Sequence, residues 1–376
     1  MAGRLDGERR LGHGQRTYPF DLQTQRDVGV VLSGGGVNGV LMELGFLKRL
    51  RASALWPRVA AIFGTSSGAL AGTLAALDRV DDLERFLLAL RPEQAFRPHR
   101  LWRLPFLGLY DYALPRTVAV RLGDPEILAA RLAGAAIEVI VVATDVTDDH
   151  AVDGGYELVY SSRSTGAEVM AQAVLASAAV SALVLPLPVG DRIATDGAWV
   201  RNFPLGHAYR DSGVELIVSL RYVPTYARLG VEWLARFRRR LERFPRIPPV
   251  RALIAELREA EERAERGEPG HWGDMFARLM RVAVQQNTAN EERVARDIDA
   301  ALAELRADVG EIVRRDGGRR GRRVADSVDE RFAAASVPFL GDRLIPRIAI
   351  QATAGDVTLE TGLRRPRPWP RRRSGP

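Results

Sequence analysis

Residues 59–70 read VAAIFGTSSGAL. With Arg58 in front, the run RVAAIF is short and apolar enough for a buried strand, and SGALAGTLAAL (67–77) has the small, alanine-rich character of a buried helix. Between them Gly64-Thr65-Ser66-Ser67-Gly68 spells G-x-S-x-G. In that strand–turn–helix setting the motif is a nucleophile elbow: the serine occupies a strained turn, and its hydroxyl leaves the C-terminal edge of a sheet near the positive end of a helix. The strand and helix must pass very close to each other. Gly64 and Gly68, with Gly72 one turn on, supply the room.

Upstream, VGVVL (28–32) reads as another strand, and NGVLMELGFLKRLRAS (38–53) as a helix with apolar residues at helical spacing. The loop between them contains Gly34, Gly36 and Gly39 in the pattern G-x-G-x-x-G. A dinucleotide site needs an acid about 20 residues further on to hold the ribose, and no Asp or Glu lies between Glu43 and Asp78. A Walker loop fails as well, because Val40 and Leu41 follow Gly39 where Lys and Ser/Thr are required. A strand–helix–strand unit is right-handed and leaves its strands parallel, so both loops open at one sheet edge. If the two strands are neighbours, the glycine loop faces Ser66, and its backbone N–H groups can receive the charge that develops when a serine attacks a carbonyl.

Beyond the elbow the alternation continues. IEVIVVATDV (137–146), YELVY (156–160), LPLPVG with RIATDGA (185–198) and VELIVSL (214–220) read as strands, and AEVMAQAVLASAA (167–179) as a helix. The expectation is an α/β fold with a mostly parallel central sheet over residues 27–225. Residues 1–26 read as a polar leader without a secretory signal. Residues 226–335 carry Arg, Glu and Ala at helical spacing and read as a charged helical subdomain packing on the core. RLIPRIAIQA, within 336–362, reads as a final core strand. The aromatic stretch RPHRLWRLPFLGLYDYALP (97–115) fits either core packing or an apolar lid.

The chain has 376 residues, 46% hydrophobic and 27% charged, which is the balance of a globular protein. It has no cysteine, which excludes disulfides, thiolate metal sites and cysteine nucleophiles. The uncharged stretches Val59–Leu77 and Val169–Gly190 contain small polar residues, glycines or prolines, and suit a buried core better than a bilayer. Six arginines of the tail, residues 363–376, account for most of the net charge of +7. This Arg/Pro-rich tail reads as disordered and able to make peripheral contact with an anionic membrane; no nucleic-acid partner is expected. The protein reads as soluble and cytoplasmic.

A serine nucleophile needs a proton acceptor. Of His13, His99, His150, His207 and His271, only His207 lies in a suggestive context, NFPLGHAYR, and that context is also an ordinary helix start. The alternative is Asp196, which ends a short strand and precedes Gly197 and Ala198, although Asp-Gly is also a plain turn dipeptide.

Four blocks in order, LSGGGVNGV, GTSSGAL, ASAAVSALVLPLPV and TDGAWVRNFPL, resemble those of the patatin-like phospholipases, over about Asp27 to Leu220. The resemblance implies a three-layer sandwich and a Ser–Asp dyad that needs no histidine. It makes Ser66 the nucleophile, Asp196 the base, and Gly34, Gly35 and Gly36 the oxyanion loop, with Gly39, Gly64, Gly68 and Gly197 supporting the motifs. The implied reaction is hydrolysis of lipid carboxylic esters, of phospholipase A, lysophospholipase or lipid esterase type, through an acyl-enzyme and without metal or cofactor. Asn38 departs from the family, which usually has Arg or Lys there; the loop loses a charge that would favour an anionic head group. Two other readings remain open: a Ser–His–Asp esterase using His207, and a non-catalytic lipid- or partner-binding protein on the same fold.

Overall fold

The computed structural model describes residues 7–10, 17–20, 27–99, 110–147, 155–181, 183–211, 213–224, 238–239, 241–243, 248–266, 272–316, 324 and 347–354. The Arg-rich tail, His13, His150, His271 and most of the aromatic stretch lie outside these residues. The chain divides into two compact units, Met1–Tyr222 with Asn287–Ala352, and Val223–Gln286 with Thr353–Pro376.

In chain order the strands are β1 (Gly7–Arg10), β2 (Thr17–Phe20), β3 (Val28–Leu32), β4 (Val59–Thr65), β5 (Phe96–Pro98), β6 (Tyr110–Tyr112), β7 (Glu138–Asp145), β8 (Glu157–Ser161), β9 (Leu187–Val189), β10 (Arg192–Asp196), β11 (Leu216–Pro224) and β12 (Arg347–Ala354). The helices are α1 (Gly36–Arg51), α2 (Ser67–Ala76), α3 (Val80–Ala89), α4 (Pro92–Ala95), α5 (Leu114–Arg121), α6 (Pro125–Ala133), α7 (Ala167–Ser177), α8 (Ala198–Arg201), α9 (Leu205–Arg210), α10 (Pro248–Glu265) and α11 (Trp272–Asp316).

The main sheet runs β12-β11-β3-β4-β7-β10-β9, with β8 also paired to β7. Its centre, β11-β3-β4-β7, is parallel. β8 and β10 pair antiparallel with β7, and β9 pairs antiparallel with β10. The antiparallel part follows from connection length: only Gly190 and Asp191 separate β9 from β10, and Gly190 takes the positive φ of +60° that so short a hairpin demands. Along the central strands alternate residues face opposite layers. Val28, Val30, Leu32, Ile62, Leu216 and Val218 pack under α1 and α2, against Leu44, Leu47 and Leu74. Val31, Ala61, Phe63 and Ile217 face the other way, onto Phe203, Tyr209 and Ala295 of α11. Helices therefore cover both sheet faces, giving a three-layer α/β architecture. Each fully buried aliphatic side chain of these strands contributes about 1.5–3 kcal/mol.

Within the expected polar leader, β1 and β2 pair as an antiparallel ribbon. At the edges of the aromatic stretch, β5 and β6 form a second ribbon, where Phe96 stacks on Tyr112 with ring centroids 5.9 Å apart. In the second unit, Arg238 pairs with Glu242 and Glu261, and Leu241 packs on Leu257 and Ala260 of α10. The boundary between units falls within α11.

Candidate active site

β4 ends at Thr65, and the chain turns into α2 through Ser66 at φ +55° and ψ −119°. A non-glycine residue in this region stores about 1–3 kcal/mol and persists only where its surroundings hold it. Here the Ser66 amide donates to Ser177 Oγ at 2.9 Å, and that hydroxyl donates to the Val142 carbonyl at 2.6 Å. Thr65 Oγ1 donates to the Arg201 carbonyl at 2.8 Å. The close passage needs glycine. A Cβ on Gly64 would lie 2.5 Å from the Gly68 carbonyl oxygen, and one on Gly68 would lie 2.6 Å from that of Leu32.

Asp196 ends β10, which lies beside β7, itself beside β4, so its carboxylate reaches the elbow from across the sheet edge. Ser66 Oγ donates to Asp196 Oδ2 at 2.8 Å, and the Ala198 amide donates to Oδ1 at 2.9 Å. Thr144 Oγ1 donates to the Asp196 carbonyl at 2.7 Å. Both Ser66 and Asp196 are buried. Burial raises the Asp196 carboxyl, and the bonds from Ala198 and Ser66 lower it; the balance leaves it at about 6. Such a carboxylate is a stronger base than an ordinary one and is still ionised at neutral pH. Tyr112 of β6 donates to the Leu175 carbonyl at 2.9 Å. Burial, and then the charge of Asp196, hold its phenol above the usual range.

Because β3 and β4 are parallel neighbours, the glycine loop does face Ser66: a Cβ on Gly34 would stand 3.0 Å from Ser66 Cβ. The three loop amides differ, however. Gly34 N–H donates to the Asn202 carbonyl at 2.9 Å, and Gly35 N–H donates to Ser67 Oγ at 3.0 Å. Gly36, exposed and at φ +59°, opens α1, and among the described hydrogen bonds none starts from its amide. Of the expected oxyanion set Gly34, Gly35 and Gly36, only the Gly36 amide has no acceptor among the described hydrogen bonds. Asn38 is half-buried in the first turn of α1, and Gly39 is buried against Ser67. Gly197 sits where a Cβ would meet the Val142 carbonyl oxygen at 2.2 Å.

Several supporting residues are invisible to motif reading. Asn202 Nδ2 donates to Thr288 Oγ1 at 2.8 Å and to the Gly34 carbonyl at 3.4 Å, and its amide donates to Asn287 Oδ1 at 3.2 Å. Glu157 accepts from two Arg201 nitrogens, Nε at 2.5 Å and Nη2 at 3.0 Å, while Glu291 accepts from the third, Nη1. His207 Nε2 lies 2.8 Å from Glu157 Oε1. Burial pushes Glu157 up, but hydrogen bonds from His207 and Arg201 outweigh it and hold the carboxyl at about 2. Among the described hydrogen bonds none joins His207 to Ser66, and His99 follows β5. Asn202 lies in the quoted block TDGAWVRNFPL, but Asn287, Thr288 and Glu291 sit some 85 residues on, in a helix whose sequence shows only charge.

A cavity of about 770 Å³ adjoins Asp196 through Thr144 and Thr195, with Asp145, Ser181, Tyr156 and Trp199 on its walls. Among the described residues no cluster of His, Asp and Glu could hold a metal ion, and no helix is long and apolar enough to cross a membrane. With strand, elbow, glycine loop and aspartate in place, residues 30–209 match the family described as patatin-like phospholipase. The matched residues take in the elbow, the glycine loop and Asp196, and end before α11. No curated protein matches the chain significantly. Among solved structures, VipD from Legionella pneumophila is similar at 14% identity and a TM-score of 0.36, over 69% of this chain and 60% of that one. The chain thus spans about 60% of the length of that protein.

Proposed function

We propose that the protein is a serine acyl-hydrolase that cleaves lipid carboxylic esters, with Ser66 as nucleophile and Asp196 as its only base. Asp196 Oδ2 takes the Ser66 proton as Oγ attacks the ester carbonyl carbon, and the Gly36 amide receives the oxyanion. The tetrahedral species collapses and the leaving alcohol takes the proton from Asp196. Water then attacks the acyl-enzyme, giving its proton to Asp196, and the second collapse returns a proton to Ser66 and frees the fatty acid.

The observation that carries this reading is the 2.8 Å hydrogen bond from a strained, buried serine to a buried carboxylate. The family match over residues 30–209 supports lipid esters as the substrate class. So do Val37 and Leu41, apolar and half-exposed on one face of α1 beside Gly36. A His207 mechanism is not favoured, because that ring is engaged by Glu157. The test is a panel of phospholipids, lysophospholipids, acylglycerols and short-chain esters offered to wild type, Ser66→Ala and Asp196→Asn. Activity on at least one lipid class, lost in both variants with the fold retained, is expected. Full activity in either folded variant rejects the dyad.

A further inference from the structure

Beneath the glycine loop lies an acid that the proposed chemistry does not use. Glu43 is on α1, on the sheet-facing side with Val40, Leu44 and Leu47, and is only 1% exposed. Its Oε1 accepts the Ser67 hydroxyl at 3.0 Å, and that hydroxyl accepts the Gly35 amide at 3.0 Å. Its Oε2 is buried and has no hydrogen-bond partner among the described residues. Among the described residues no ion pair reaches it. The space is kept for this contact: a Cβ on Gly39 would press on Ser67 Oγ at 2.9 Å.

The direction of the relay follows from the donor count. A serine hydroxyl has one proton; receiving the Gly35 N–H on its oxygen, Ser67 must send that proton to Glu43 Oε1. The hydroxyl is then fixed in rotation, and with it the Gly34–Gly35 peptide; the next amide along the loop is that of Gly36, the one left open among the described hydrogen bonds. A buried carboxylate without a counter-charge is too costly to persist, so the acid form is the one that fits here. Burial raises the Glu43 carboxyl well above the ordinary range, with the Ser67 bond opposing it only in part. Among the described residues no cation from an element packed on α1 pairs with Glu43; Arg79, which precedes α3, and Arg85 within it are taken by Asp82. From α2 comes the Ser67 hydroxyl. From α3 come Asp81, Asp82 and Glu84, paired with Arg51, Arg79 and Lys48. From β11 comes the Tyr222 ring against Gly35.

We infer that Glu43, uncharged, is a positioning residue that acts through Ser67 to hold the glycine loop in its oxyanion-binding form. The inference rests on the Ser66–Asp196 reading. Ionised Glu43 would place a full negative charge two hydrogen bonds from the forming oxyanion, so the neutral form is the competent one. Glutamine keeps the acceptor oxygen without the titrating proton; leucine keeps the volume and removes the acceptor.

The experiment measures kcat and KM on a soluble short-chain ester, from pH 6 to 10, for wild type and for Glu43→Gln, Glu43→Leu, Ser67→Ala and Ser66→Ala, with melting temperatures for each. Glu43→Leu and Ser67→Ala are expected to lose kcat by about 10- to 100-fold, with KM within about threefold of wild type. Glu43→Leu should melt no lower than wild type, since it relieves an unpartnered buried carboxyl. Glu43→Gln should keep kcat within about threefold at neutral pH and lose any alkaline decline that wild type shows. Wild-type kcat in folded Glu43→Leu, with Ser66→Ala inactive, overturns the proposal and leaves the Ser66–Asp196 reading standing. If Glu43→Leu does not fold, Ser67→Ala decides in the same way. An inactive wild type, or an active Ser66→Ala, overturns that reading and the proposal with it.

Discussion

If Asp196 is the base, the acid limb of the pH–rate profile belongs to it. Only the ionised carboxylate can take the Ser66 proton, and the Asp196 carboxyl sits at about 6 against 3.8 for an ordinary aspartate. At pH 7 about 91% of the enzyme then carries the base, and at pH 5 only about 9%, so kcat/KM falls about tenfold over two pH units. With an ordinary carboxyl the same change would remove less than about a tenth of the activity. The assay is kcat/KM for a soluble short-chain ester from pH 4.5 to 8 at constant ionic strength, on wild type and on His207→Gln. The second enzyme matters because an ordinary histidine titrates in the same window. A limb near pH 6 that survives His207→Gln is expected. A profile flat down to pH 5, or a limb that disappears with His207, would refute the argument from the buried carboxylate.

Three further outcomes follow from the same contacts. The raised Asp196 carboxyl favours the protonated folded state, so its contribution to stability is complete below about pH 4 and is lost as pH rises through about 6; Asp196→Asn should therefore melt higher than wild type at pH 7.5, by up to about 3 kcal/mol in unfolding free energy. Gly197→Ala forces a Cβ to within 2.2 Å of the Val142 carbonyl oxygen, a backbone clash that should cost about 3 kcal/mol or more in denaturant unfolding, and a neutral result would argue against this tight turn. Asn202→Ala removes the side-chain donor to Thr288 and the Gly34 carbonyl, and should lower kcat about tenfold with KM little changed.

The parts of the site legible in the sequence are those written locally. Gly64, Gly68 and Ser66 are close in the chain because the strand–helix crossing they permit is itself local, and the parallel placement of β3 and β4 follows from the helix between them. Asp196 was legible as a candidate only, since a strand-ending Asp-Gly is also a plain turn. The antiparallel side of the sheet was less accessible: an apolar run such as RIATD has the same pattern in either direction, and only the two-residue gap at Gly190 hints at a hairpin. The bracing of the glycine loop by Asn287 and Thr288 was not legible, because helix α11 carries nothing in its pattern to single out those polar residues. Glu43 left a trace, as the one acid in an otherwise apolar face containing Val40, Leu44 and Leu47, but its pairing with Ser67 depends on how α1 crosses α2. Partial occupation of the loop amides likewise depends on Asn202, far along the chain.

The central claim is that Ser66 is the nucleophile, and covalent labelling tests it most directly. Wild type and Ser66→Ala are incubated with a fluorophosphonate, followed by intact-mass measurement and peptide mapping. A single adduct on the Ser66 peptide of wild type and none on Ser66→Ala is the expected result. An adduct at another residue, or an unlabelled wild type that still hydrolyses esters, would contradict it.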